Sequence, residues 1–186
     1  MKQIILITGG QRSGKSSYAE RLALSLSPCP VYMATAHIWD EDFRQRVRLH
    51  RQRRGPEWTN IEEERYLSRH DVAGHVVLID CCTLWATNFL WDESQGTADR
   101  PLPDIDAVLS ELRAEFDRFT QQDATFIFVT NEIGMGGTSP SALQRRFTDL
   151  LGFFNQYVAS KADRVVLMVS GLPMTVKDSS TKAGPF

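Results

Sequence analysis

Five short apolar runs recur along the chain, at residues 4–7 (Ile-Ile-Leu-Ile), 31–34, 76–79, 126–129 and 165–169. Each is rich in β-branched residues and none alternates with polar ones, the pattern of strands buried on both faces. Between the runs, apolar residues return at helical spacing. Ala19, Leu22, Ala23 and Leu26 share one face, and Ile105, Val108, Leu109, Leu112, Phe116 and Phe119 form a second stripe. A third consists of Leu143, Phe147, Leu150, Leu151, Phe154 and Val158, with Ser139-Pro140 ahead of it as an expected N-cap and N1 proline. Strands alternating with helices predict a three-layer α/β fold with a mainly parallel sheet and right-handed crossovers. Ligands in such folds gather at the carboxyl ends of the strands. The polar stretch 92–104 reads as a long surface loop. Residues 1–177 are read as one domain and 178–186 as a disordered tail.

Composition narrows the class without deciding it. With 42% hydrophobic and 24% charged residues the chain has the make-up of a soluble globular domain. A formal net charge of −2 gives no sign of nucleic acid as a partner. No apolar run approaches the roughly 20 residues of a membrane span. The Met-Lys start runs directly into a strand and does not resemble a cleavable signal, so a cytoplasmic protein is expected. Cys29, Cys81 and Cys82 have neither zinc-site spacing nor a disulfide count, and are expected to stay reduced.

The stretch Gly9, Gly10, Gln11, Arg12, Ser13, Gly14, Lys15, Ser16 changes the picture most. It fills every fixed position of Gly-x-x-x-x-Gly-Lys-Ser/Thr, directly after an apolar strand and before a helical stripe. Glycines let successive backbone N–H groups turn inward around an anion, and the following helix adds its positive end. Lys15 is placed to reach the β- and γ-phosphates and Ser16 to ligate Mg²⁺. The ligand so defined is a nucleoside triphosphate.

Asp80 ends the third run, where a carboxylate holds Mg²⁺ in many such folds, or else merely caps the strand. In the segment 40–54, Phe43, Val47 and His50 fall at helical spacing among Arg44, Arg46, Arg48, Arg51, Arg53 and Arg54. That cluster suits phosphate, whose oxygens a guanidinium fork can meet in pairs. A solvated helix face and a nucleic-acid patch remain alternatives. His50 is a competent nucleophile when neutral, and nearby arginines disfavour the imidazolium. His37 follows the second strand and is within reach of a ligand, whereas His70 and His75 are read as surface residues. The segment 130–136 (Thr-Asn-Glu-Ile-Gly-Met-Gly) follows the fourth strand, where substrate contacts are expected, although it also suits a simple glycine turn. Glu62, Glu63 and Glu64 are read as a solvated helix start, and Trp58 and Trp85 as core or rim residues.

In order, these segments resemble the bifunctional adenosylcobinamide kinase/adenosylcobinamide-phosphate guanylyltransferase family of cobalamin synthesis. The resemblance runs from Ile4 to Lys177. It is carried by residues 8–16, 32–36 (Tyr-Met-Ala-Thr-Ala), the arginine-rich segment with His50, 80–88 (Asp-Cys-Cys-Thr-Leu-Trp-Ala-Thr-Asn), 130–136, Asn155-Gln156 and 169–173. It implies a P-loop kinase-like α/β fold, a homo-oligomer that is trimeric in some members, and two reactions on adenosylcobinamide. ATP or GTP first phosphorylates the aminopropanol arm. The residue matching His50 then takes GMP from GTP, releasing pyrophosphate, and passes it to the cobinamide phosphate. Further nucleotide positions implied are Ala34, Thr35, Ala36, Arg51, Gln52, Arg53, Arg54, Glu62 and Thr83. Residues 137–140 (Gly-Thr-Ser-Pro) depart from the family pattern, in which apolar residues precede the proline.

Two competing readings remain at the level of sequence. A small-molecule P-loop kinase would use the loop and Asp80 without needing His50. A GTP-dependent switch protein would carry an Asn-Lys-x-Asp guanine-reading motif, which the chain lacks.

Overall fold

The computed structural model describes residues 2–37, 54–91 and 104–179. Seven strands form one sheet: β1 (Gln3–Gly9), β2 (Val31–Ala34), β3 (Thr59–Glu62), β4 (Val76–Asp80), β5 (Thr125–Val129), β6 (Arg164–Val169) and β7 (Leu172–Asp178). Their order is β3-β2-β4-β5-β1-β6-β7. All neighbours run parallel except β7, which returns antiparallel to β6. The helices are α1 (Lys15–Leu26), α2 (Cys82–Leu90), α3 (Ile105–Phe119) and α4 (Ala142–Lys161). The five apolar runs are the five inner parallel strands, as their lack of polar alternation requires.

Because side chains alternate across a strand, each inner strand feeds two cores. Ile4 and Leu6 of β1, Val77 and Ile79 of β4, and Phe126 and Phe128 of β5 face α2, α3 and α4. Ile5 and Ile7, Leu78, Ile127 and Val129 face α1, meeting Ala19 and Ala23. Small residues on α1 let it lie close to the sheet, so the loop feeding it stays near the strand ends. The thicker core centres on Phe116, whose ring lies 5.1 Å from Phe128, 6.2 Å from Phe154 and 5.9 Å from Tyr157. Phe116→Ala is expected to cost about 3–5 kcal/mol by removing a fully buried ring. The change would appear as a lower urea midpoint at unchanged slope.

Several local expectations are corrected. Two edge strands, β3 and β7, carry no buried apolar run: β3 is largely exposed, and β7 turns Leu172, Met174 and Val176 to solvent. The tail does not begin at residue 178 as expected, since Asp178 pairs with Arg164 as the last residue of β7. Residues 180–186 lie outside the described residues. α2 follows β4 directly, and no amphipathic stripe announces it because Cys82, Trp85, Ala86, Phe89 and Leu90 bury it on most sides. The N-cap of α4 is Ser141 rather than Ser139, its hydroxyl accepting from Gln144 N at 3.4 Å. Glu62 ends β3 instead of starting a helix, and Glu63 Oε1 accepts from the N–H groups of Arg65 and Tyr66. Of the loop 92–104, Asp104 caps α3 by accepting from Asp106 N and Ala107 N, and 92–103 lie outside the described residues. Trp58 and Trp85 are both buried, as read.

Candidate nucleotide-binding site

The carboxyl end of β1 opens into the phosphate loop. Gly9 has φ 150°, and a Cβ there would lie 2.5 Å from Met168 O and 2.9 Å from Ser13 Oγ, so only glycine fits. Gly14, at φ 93°, is left-handed and forms the N-cap of α1. Arg12 is also left-handed, at φ 58°. Gly10, Gln11 and Arg12 face solvent, Ser13 is buried and Ser16 half-buried in the first turn of α1. Lys15 is 7% exposed, and its Nζ donates to Gly10 O at 2.6 Å, with Ser13 Oγ at 3.5 Å. Burial lowers its pKa, against the opposing pull of Cys81 and Asp80. The ammonium is therefore held inside the concavity that the loop makes.

Neighbouring strand ends lock this loop in place. Gly171 N donates to Ser13 O at 2.9 Å, and Glu132 N donates to Gly9 O at 3.0 Å. The segment after β5 is tied down in turn. Thr83 Oγ1 accepts from Asn131 N at 3.0 Å and Nδ2 at 3.2 Å, while Asn155 joins the Thr130 hydroxyl at 2.7 Å to the Asn131 carbonyl at 3.1 Å.

On the other side, Asp80 ends β4, and its Oδ2 accepts from the Tyr32 hydroxyl at 2.8 Å. Thr35 is fully buried and clamps Cys81, donating to its carbonyl and accepting from its N–H, both at 2.9 Å. Its side chain is thus committed to holding the strand ends. Asn88 Nδ2 adds bonds to Thr35 O at 2.7 Å and Glu64 O at 2.8 Å. Burial pushes the Cys81 thiol up to about 12, so it stays protonated near neutrality. Ala34 and Ala36 flank Thr35 half-buried, and Glu62 lies in register with Ala34 on the exposed β3 edge. Arg54 stacks its guanidinium 3.4 Å above the Tyr32 ring, with Nε and Nη1 buried and without hydrogen-bond partners among the described residues.

The structure thus gathers the loop, Lys15, Ser16, Asp80, Ala34, Thr35, Ala36, Thr83 and Arg54 at one end of the sheet. His50, Arg51, Gln52 and Arg53 lie outside the described residues. His37 meets Glu64 through Nδ1 at 2.9 Å, and His70 lies 3.4 Å from Glu63. Tyr32, Asn88 and Asn131 are the additional residues that organise the site. In the sequence they lie within the segments 32–36, 80–88 and 130–136, with nothing to mark them individually. A cavity of about 430 Å³ lies at the opposite end, beside Lys2, Ile4, Phe116 and Lys161, remote from the loop.

A mostly parallel α/β sheet with this loop at the end of β1 defines a P-loop nucleotide-binding protein. Residues 5–176 match the family described as cobinamide kinase / cobinamide phosphate guanyltransferase, and the chain belongs to that family. It is similar to the bifunctional adenosylcobalamin biosynthesis protein CobP of Pseudomonas aeruginosa, 37% identical over 92% of this chain and 96% of the relative. Similarity to CobU of Escherichia coli is 37% over 94% and 99% of the two chains. The crystal structure of the flagellar accessory protein FlaH from Methanocaldococcus jannaschii aligns with a TM-score of 0.47 and 14% identity, covering 95% of this chain and 78% of FlaH.

Proposed function

We propose that the chain phosphorylates adenosylcobinamide with ATP or GTP and then transfers GMP from GTP to the product, giving adenosylcobinamide-GDP and pyrophosphate. The observation that carries this is the buried Lys15 ammonium inside a complete phosphate loop, in a chain of this family. In the first step the loop's N–H groups and Lys15 hold the β- and γ-phosphates while the substrate hydroxyl attacks the γ-phosphorus; the bond to the β–γ bridging oxygen breaks, ADP or GDP leaves, and the hydroxyl proton passes to water. In the second, the neutral His50 imidazole attacks the α-phosphorus of GTP and the bond to the β-phosphate oxygen breaks. Pyrophosphate leaves, and a GMP–imidazole bond remains. A phosphate oxygen of the cobinamide phosphate then displaces His50 and takes the GMP. The arginines of the 44–54 segment support this reading, because charge grows on the leaving pyrophosphate.

Mg²⁺ belongs to the same proposal. Among the described residues no three or more His, Cys, Asp or Glu converge as a metal cage. The oxygen donors of Ser16 and Asp80 suit Mg²⁺ bound together with a triphosphate, which usually supplies much of its coordination. When bound, the ion offsets phosphate charge. Assembly as a homo-oligomer, a trimer as the resemblance implies for some members, and a cytoplasmic location complete the reading. No helix among the described residues is long and apolar enough to cross a membrane.

Incubation with GTP and Mg²⁺ is expected to leave one covalent GMP per chain by intact mass, and EDTA added beforehand is expected to prevent it. A plain kinase or a GTP switch would show no adduct under either condition.

A further inference from the structure

We propose that Tyr32 is a positioning residue for the metal-supporting carboxylate, its hydroxyl holding one oxygen of Asp80 in a fixed orientation on the phosphate-loop face. This rests on the reading of Asp80 given above. Tyr32 lies in β2, in register with Leu78 of β4. Leu78 and Asp80 are two residues apart and so point to the same face. That face is the one α1 covers, since Tyr32 and Leu78 belong to its core. The phenol leans along the strands to reach Asp80 Oδ2 at 2.8 Å.

An apolar side chain would fill this buried position without needing a polar partner, whereas a phenol hydroxyl there requires one. A phenol, with an ordinary pKa of about 10, is an O–H donor at neutral pH. The ring itself is fixed by Trp58, edge-on at 5.8 Å and 81°, and by Arg54 at 3.4 Å. Removing only the hydroxyl therefore leaves the packing in place and frees the carboxylate to rotate.

The test uses the full chain and a non-hydrolysable GTP analogue, with affinity measured by calorimetry as Mg²⁺ is varied. Tyr32→Phe is expected to match wild type in EDTA. The Mg²⁺ concentration that half-maximally tightens binding should rise roughly 10- to 100-fold, the usual effect of losing an outer-shell partner. Adding Tyr32→Phe to Asp80→Asn should shift the Mg²⁺ dependence no further than Asp80→Asn alone. If Tyr32→Phe keeps the wild-type Mg²⁺ dependence while Asp80→Asn loses it, the positioning role is overturned and the Asp80 reading stands. If neither variant alters the Mg²⁺ dependence, Asp80 does not support the metal and both readings fall. Equal weakening with and without Mg²⁺ would make Tyr32 a packing residue, which also overturns the proposal.

Discussion

His50→Ala is expected to retain phosphorylation of cobinamide and to lose transfer of GMP. In the proposed first step the phosphate loop and Lys15 act on the γ-phosphate without an imidazole, so that reaction would have no need of His50. The second needs a nucleophile that can form and release a bond to phosphorus near neutral pH. His50 is the histidine within the arginine-rich segment, at helical spacing from Phe43 and Val47. Label from α-labelled GTP should stay on denatured wild-type protein, survive alkali and be released by acid, as a phosphorus–nitrogen bond to imidazole would. The variant should carry none. Equal labelling of both proteins would remove His50 from the chemistry, and no labelling of either would favour a plain kinase. A melting temperature close to wild type separates lost chemistry from lost folding.

Lys15→Ala should abolish measurable kinase turnover and strongly weaken guanylylation. Loss of one donor to a transition-state charge typically lowers rate by about 10²–10³. Here the donor is buried within its own loop, 2.6 Å from Gly10 O, where water is a poor substitute. Steady-state rates of both half-reactions on the purified variant check this. Near-normal turnover in both would show that the loop lysine does not meet the triphosphate.

The inner strands were legible because burial on both faces leaves an unbroken apolar run, as in residues 76–79 and 126–129. Edge strands leave no such trace. In β3 only Ile61 is partly buried against the core, and β7 carries Pro173, which an edge tolerates. α2 was hidden for the opposite reason, being buried on too many sides to show a polar face. The phosphate loop was legible because backbone geometry restricts Gly9 and Gly14 to glycine. The Tyr32–Asp80 bond was not, since a tyrosine within an apolar strand reads as core until its hydroxyl is located. Thr35 was named through the family resemblance, but its side chain serves the strand ends by clamping Cys81.

The two cores are unequally tied to the site. Among the described helices, α2, α3 and α4 share one face of the sheet, while α1 covers the other. α1 begins at Lys15, inside the loop that is to hold the phosphates. Whatever free energy a nucleotide contributes to ordering that loop is therefore also felt by the packing of Ala19 and Ala23 against β1, β4 and β5. Ligand occupancy and the cohesion of the smaller hydrophobic core are linked quantities, so the protein is most resistant to local opening on that face when its substrate is bound.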